Sequence, residues 1–165
     1  MNVNLRFACA ICGLMMGTAM GSSAYAADSA SGSWNYKGQV SAIKYAWLVT
    51  GPSDMDPGKM VRRVVLSTND IGAKLQACTT FSCTDGAVTE GMTIDFGDGP
   101  RLNYWLAQNG QKVQYSGTAR TSAFAGTSDA KHIAGSLAID DVSAGGPKLD
   151  VKFDVTQLKE FKLAR

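Results

Sequence analysis

The stretch LDVKFDVT at residues 149–156 alternates apolar and polar side chains without a break. Successive side chains of a β-strand point to opposite faces, so this pattern predicts a strand with one buried face and one solvated face. The same alternation recurs in Met92–Phe96 and in Ile133–Ile139. Val40–Val49 is apolar on both sides, which predicts a central strand covered on both faces. These segments together predict an all-β fold.

Turn residues between the predicted strands favour an antiparallel order. Asn109-Gly110 separates Leu102–Gln108 from Lys112–Thr118, and this dipeptide favours the positive φ angles of a tight type I′ hairpin. Gly- and Pro-containing turns at 98–100 and 145–147 punctuate the chain in the same way. We therefore predict about eight strands, arranged as an antiparallel β-sandwich or a small closed barrel.

Two further segments complete the secondary-structure prediction. Met60–Ser67 is apolar after a charged start and predicts another strand. Asp70–Ala77 has apolar residues at helical spacing, with Asp70 placed to act as an N-cap, and predicts one short helix.

The first 26 residues have the three parts of an export signal. A basic start at Arg6 precedes an apolar stretch over Phe7–Met20, and Ala24-Tyr25-Ala26 supplies small residues for a peptidase. We expect cleavage between Ala26 and Ala27, because the apolar stretch is shorter than the roughly 20 residues of a membrane anchor. The predicted organisation is a signal peptide (1–26), a flexible lead-in (27–33) and a single β domain (34–165), periplasmic or secreted and without a membrane span in the mature form.

The charge balance of the mature chain argues against a nucleic-acid partner. The chain has 16 basic and 14 acidic residues, and the leader contributes one arginine and no acid, so the mature chain is almost neutral. Its densest basic group is Lys59, Arg62 and Arg63. These are interpreted either as solvent-facing charges that protect a strand from edge pairing, or as a docking patch for an acidic partner.

Cys78 and Cys83 are the cysteines that remain after the leader. In an exported chain an even pair predicts a disulfide, worth roughly 2 kcal/mol for so small a loop. A metal site would need further ligands at matching spacing, so no metal and no cofactor are assigned.

The sequence offers no complete catalytic constellation. His132 is the only histidine, and no nucleophile motif accompanies it. Three carboxylate pairs are candidates, Asp95 with Asp98, Asp140 with Asp141 and Asp150 with Asp154. Asp98 and the Asp140–Asp141 pair occupy turns where Asp favours local backbone bonds, and Asp150 and Asp154 form the solvated face of a strand. The pair of Asp95 and Asp98 could hold calcium weakly, although the ligand pattern of an EF-hand is missing. No residue is assigned a catalytic role.

The order of segments resembles a family of small uncharacterised secreted bacterial β proteins. The resemblance is carried by Gly32–Val49, by RVVLST at residues 63–68 with the helical turn after it, and by the segments at 135–137 and 152–154. It covers most of the mature chain, implies a sandwich-like fold and brings no catalytic residues. YSGTAR at residues 115–120 is similar to the Ser-Gly-x-Arg-like loop with which periplasmic lysozyme inhibitors plug an enzyme cleft, with a spacing that differs by one residue.

We therefore expect an exported, non-enzymatic β domain that binds a protein or an envelope component, as an inhibitor or immunity factor does. The alternatives are an envelope-polymer hydrolase that uses Asp95 and Asp98 or His132, and a carrier that holds a small apolar ligand inside a barrel. The candidate binding surface consists of basic and aromatic residues: Lys59, Arg62, Arg63, Tyr104, Trp105, Tyr115 and Arg120.

Overall fold

Nine strands and two short helices make up the part of the chain that the computed structural model describes, residues 28–53, 56 and 58–162. The strands are β1 (Asp28–Tyr36), β2 (Gln39–Pro52), β3 (Met60–Ser67), β4 (Gly91–Phe96), β5 (Arg101–Gln108), β6 (Gln111–Arg120), β7 (Phe124–Ser128), β8 (His132–Asp140) and β9 (Lys148–Glu160). The helices are α1 (Gly72–Ala77) and α2 (Cys83–Ala87), and two 3-10 turns lie at Thr121–Ala123 and Val142–Ala144. The predicted export signal and its cleavage point lie outside the described residues.

All nine strands belong to one sheet, in the order β6-β5-β4-β3-β2-β1-β9-β8-β7. Neighbours in this order are antiparallel. β1 lies between β2 and β9. Beyond the N-terminal end of β1, β2 and β9 pair directly with each other in a short parallel contact at Leu48–Thr50 of β2. β6 and β7 are at the two ends of the order, so the sheet does not close through backbone pairing in the described part of the chain.

The inner face of the sheet carries one large apolar cluster, in which seven strands supply the buried residues and β6 and β7 add partly buried ones. Phe96 of β4 meets Phe124 of β7 with ring centroids 5.2 Å apart, although these strands are far apart in the sheet order. The sheet is therefore curled into a half-barrel, which lets a single twisted sheet bury its own apolar face. The all-β antiparallel prediction is confirmed, whereas a sandwich or a closed barrel of eight strands is not.

The outer face has a second, smaller apolar cluster over β2, β3 and β5. Helices α1 and α2, the loop between them and Phe161 cover this part of the sheet. Phe81 of that loop contacts Phe161 edge to face, with ring centroids 5.9 Å apart. Cys78 and Cys83 flank the loop at disulfide distance, with Cα atoms 5.5 Å apart, as predicted. The outer cluster thus depends on elements that lie outside the sheet.

The start of β1 was expected to be a flexible lead-in, and this expectation is wrong for residues 28–33. They pair with both β2 and β9. Their small side chains permit this insertion: a Cβ at Gly32 would collide with the carbonyl oxygen of Asp150 on β9. Low apolar content suggested a loop, but a narrow space between two strands needs small residues rather than apolar ones.

The turn predictions agree with the backbone. Asn109 and Gly110 have φ values of 55° and 72°, the two positive angles that a type I′ hairpin needs. Lys37 and Gly38, which connect β1 and β2, also both have positive φ angles, and this turn was not predicted. Helix α1 forms within the predicted segment but begins at Gly72, so Ile71 and not Asp70 is its N-cap residue. The Asp70 carboxylate instead accepts a hydrogen bond from the Gly72 N–H, at 2.9 Å, in the turn before the helix.

Candidate functional site

The predicted basic group at the start of β3 does not form one patch. The Lys59 ammonium forms an exposed salt bridge with Asp56 (2.9 Å), and this hydrogen bond and charge raise the pKa of Lys59 and lower that of Asp56. Arg62 donates to the carbonyl oxygens of Ser128 and Asp129, both at 2.9 Å, and so ties β3 to the β7–β8 turn. The three side chains therefore have three different surroundings.

Arg63 is buried, with 1% of its surface exposed. Its interpretation as a solvent-facing charge that protects an edge is wrong, because β3 lies between β2 and β4. Its side chain lies on the outer face of the sheet, on the same side as Val65 and opposite to the inner residue Val64.

Acceptors on β4 and α2 satisfy the Arg63 guanidinium, among them the Thr84 hydroxyl at 3.4 Å. It bonds both carboxylate oxygens of Asp95 on β4, at 2.6 and 2.9 Å, and one carboxylate oxygen of Asp85 on α2, at 2.7 Å. The guanidinium carbon lies 4.2 Å from the ring centroid of Phe81 and 5.5 Å from that of Trp105. A buried charge needs such partners because its desolvation costs several kcal/mol. The cluster joins β3, β4, β5 and the helical cover.

A pocket of about 430 Å³, which we call the Trp105 pocket, opens beside this cluster, between α2 and the hairpin of β5 and β6. Its walls include Trp105 and Ala107 of β5, Val113 of β6, and Val88. Val113 is 52% exposed at the wall of the pocket, so a ligand bound there would contact it. The volume falls within the range of small-ligand and side-chain pockets.

The rim of the pocket carries charges of both signs. Asp85 on α2 and Lys112 on β6 line it together with Arg63. The Asp85 side chain is 40% exposed while it bonds Arg63. Together with the buried Asp95, the pocket therefore has two negative charges, on Asp85 and Asp95, and two positive charges, on Arg63 and Lys112.

The two tyrosines of the candidate surface lie on the inner face instead. Tyr104 is fully buried, and Tyr115 packs partly buried against the same inner cluster. The Tyr104 hydroxyl donates a hydrogen bond to the Asp141 carboxylate. Burial, and then this bond, raise the pKa of Tyr104 well above its ordinary value. These residues help to hold the curled sheet together and are separated by the sheet from the Trp105 pocket.

Arg120 lies at the far end of the β5–β6 hairpin from the turn. It is directly opposite Arg101 in the strand register, and the two side chains line a shallow recess of about 220 Å³ with Thr118. Neither guanidinium forms an ion pair with any residue that the structure describes. Like charges placed directly opposite each other destabilise a strand pair.

The candidate catalytic residues are placed apart. Both oxygens of Asp95 are bonded to Arg63, whereas Asp98 is exposed in the β4–β5 turn. His132 lies on β8 and contacts the Asp154 carboxylate of β9 at 2.7 Å, with both side chains substantially exposed. No residue of β8 or β9 lines the Trp105 pocket. His132 thus lies apart from the pocket, whereas Asp95 is bonded to Arg63 of the pocket wall and lacks the exposed position of Asp98.

Within the described ranges, no group of three or more His, Cys, Asp or Glu side chains is arranged to hold a metal ion. In the same part of the chain, no helix has the length and apolar character needed to cross a membrane.

Trp105 and Arg63 are both among the residues predicted for the binding surface, but their surroundings were not predicted. Helix α2 and its Asp85 were not predicted, and Val113 was assigned only to a strand. One signal was present: alternation along β3 places Arg63 on the side of Val65, which is apolar, so a buried arginine with an acidic partner was to be expected there.

Comparison with known proteins found no matching family model, no similar curated protein and no similar solved structure.

Proposed function

We propose that this chain is an exported, non-enzymatic binding domain that recognises a protein or an envelope component, as an inhibitor or immunity factor does, in the periplasm or outside the cell. The Trp105 pocket, formed by Trp105, Ala107, Val88 and Val113 between α2 and the β5–β6 hairpin, is its proposed site.

One observation carries this proposal: the pocket is open and largely apolar, yet the two carboxylates beside it, Asp85 and Asp95, are both bonded to Arg63. A general base needs a lone pair within reach of its substrate. Both carboxylate oxygens of Asp95 already accept hydrogen bonds from Arg63, and Asp85 accepts another. Such a cluster can orient and support a ligand, and a ligand side chain would cover Val113. This arrangement favours binding over catalysis.

Export is supported by the leader-like composition of residues 1–26 and by the cysteine pair. Cys78 and Cys83 lie at disulfide distance, and disulfides persist in oxidising compartments.

The apolar-carrier alternative receives less support from the geometry. It requires space on the inner face of the curled sheet, where Trp34, Leu48, Met92 and Tyr104 are all buried in one packed cluster. The open pocket instead lies on the outer face.

The binding test uses two matched substitutions at exposed valines. Val113→Glu places a charge at the rim of the Trp105 pocket, and Val142→Glu makes the same change in the 3-10 turn, where the valine is 58% exposed. Mature wild-type and variant domains are immobilised without reductant, and components from an envelope extract are purified and titrated calorimetrically. We expect a one-to-one complex that Val113→Glu weakens at least roughly tenfold and that Val142→Glu leaves unchanged.

A component that binds all three domains equally would contradict the proposed site, and the absence of any stoichiometric component would contradict the proposed function. Turnover of an envelope polymer that is lost in His132→Ala or Asp98→Asn would establish the hydrolase instead. Export is tested separately by the intact mass of the exported chain, which should begin at Ala27.

A further inference from the structure

The outer face of the β5–β6 hairpin carries a second feature in line with the Trp105 pocket. On β5, Arg101, Asn103 and Trp105 alternate with the inner residues of the strand, so their side chains share the outer face. Arg101 and Trp105 are four residues apart, which is about 14 Å along a strand. The pocket and the arginine pair are therefore the two ends of one stripe along the outer face of the hairpin.

The arginine end of this stripe is electrostatically incomplete. Arg101 and Arg120 are direct cross-strand neighbours, both are exposed, and neither has an acidic partner in the described part of the chain. The whole hairpin from residue 101 to residue 120 contains Arg101, Lys112 and Arg120 but no aspartate or glutamate. At the pocket end, Arg63 and Lys112 are balanced by Asp85 and by Asp95 beneath, so the unbalanced positive charge is at the arginine end. A carboxylate placed between two guanidiniums would relieve their repulsion and accept charge-assisted hydrogen bonds.

The middle of the stripe is polar. Asn103 of β5 pairs with Thr118 of β6, and Ser116 pairs with Trp105, so amide and hydroxyl groups lie between the two ends. These groups can exchange hydrogen bonds with a peptide backbone. A hydrocarbon chain that linked the same two ends would leave them without partners, which costs free energy.

From these three features we infer that the outer face of the β5–β6 hairpin binds an extended acidic segment of a partner protein, with an apolar side chain in the Trp105 pocket and a carboxylate four residues away between Arg101 and Arg120. This inference rests on the proposed function and specifies its partner class. Two side chains four residues apart in an extended peptide lie on one face and about 14 Å apart, which matches the stripe. Pairing of two copies of this chain through these hairpins would oppose like charges.

The test uses defined synthetic peptides. The probe is a β-prone threonine peptide with one phenylalanine and one glutamate four positions apart. Three control peptides are compared with it. One has glutamine in place of glutamate, one has alanine in place of phenylalanine, and one has the phenylalanine and glutamate three positions apart. Binding to the mature domain is measured by chemical-shift titration of backbone amides. We expect the probe to shift β5 and β6 amides and to bind roughly tenfold more tightly than each of the other three.

The variants are chosen to preserve folding. In Arg101→Gln/Arg120→Gln, the probe and its glutamine version should bind equally, while the advantage over the alanine version remains. The control Lys44→Gln/Lys131→Gln removes two exposed charges elsewhere, and the full preference for glutamate should persist.

Equal binding of the glutamate and glutamine peptides to the wild-type domain would overturn the inference, as would no binding of the probe at several millimolar. Decanoate that binds with the same dependence on both arginines, and more tightly than the probe, would identify an amphiphile as the occupant and overturn it too. The proposed function would survive any of these results if an envelope component still discriminates Val113→Glu from Val142→Glu.

Discussion

The inner and outer faces of the curled sheet are stabilised by different interactions. Among the described residues, the inner cluster has 20 buried members, all apolar or aromatic and all on strands. The outer cluster has 11 buried residues, relies on two short helices and a cysteine pair, and adjoins the buried charges of Arg63 and Asp95. The inner face therefore supplies most of the burial that stabilises the fold. The outer face uses specific partners to create a pocket.

The largest effect is expected from separating the buried charges. Arg63→Met leaves Asp95 buried without its partner, so we expect the free energy of unfolding to fall by about 3–5 kcal/mol in urea titrations. The double variant Arg63→Met/Asp95→Leu should recover most of this loss. Lys59→Met, at an exposed salt bridge, is the control and should leave the midpoint unchanged. If the double variant is as unstable as the single one, the ion pair is not the source of the cost.

A smaller effect is expected from the cysteine pair, and it should be confined to the outer face. Cys78→Ser/Cys83→Ser should lower the free energy of unfolding by about 2 kcal/mol, because the cross-link restricts the unfolded chain. Wild-type protein treated with a reductant should behave in the same way. Hydrogen exchange should accelerate in α1 and α2 but not in β8 and β9. Equal acceleration in both places would mean that the two clusters are not separable.

The contribution of the Tyr104 hydroxyl to the inner face can be tested by the pH dependence of the free energy of unfolding. Since burial and the Asp141 bond raise the pKa of Tyr104 above its ordinary value of 10.0, the folded chain retains a proton that the unfolded chain releases in alkali. The stability from this group is therefore fully present below about pH 10 and is lost as the pH rises further.

Tyr104→Phe should cost about 1–2 kcal/mol at neutral pH and should make the alkaline decline shallower. Tyr45→Phe is the matched control, because the Tyr45 hydroxyl forms no hydrogen bond with the described residues. Urea midpoints between about pH 8 and 11 provide the measurement. Parallel declines in wild type and Tyr104→Phe would contradict the assignment.

The smallest effect is expected at His132, which belongs to neither cluster. Its contact with Asp154 is exposed, so His132→Ala should change the free energy of unfolding by about 0.5 kcal/mol or less. Binding of the peptide probe should not change. A loss of binding would place the functional surface on β8 and β9 instead.

Alternation was sufficient to predict most of the inner face. Val151, Phe153 and Val155 of β9 are buried as the pattern requires, and the Asn109-Gly110 hairpin forms as its turn chemistry predicts. β1 and β7 escaped prediction as strands, because the first half of β1 and most of β7 have small residues and little apolar alternation. Their positions depend on the strands that they pair with.

The sequence by itself determined the all-β class, the cysteine pair, the main turns and the inward face of each strongly alternating strand, because these depend on neighbours in the chain. Only the tertiary structure decided that the sheet curls into a half-barrel, that Arg63 meets Asp95 and Asp85, and that Trp105 borders a pocket. Those contacts join residues 20 or more positions apart. Their partners are set by strand order and by the helical cover, which local periodicity does not encode.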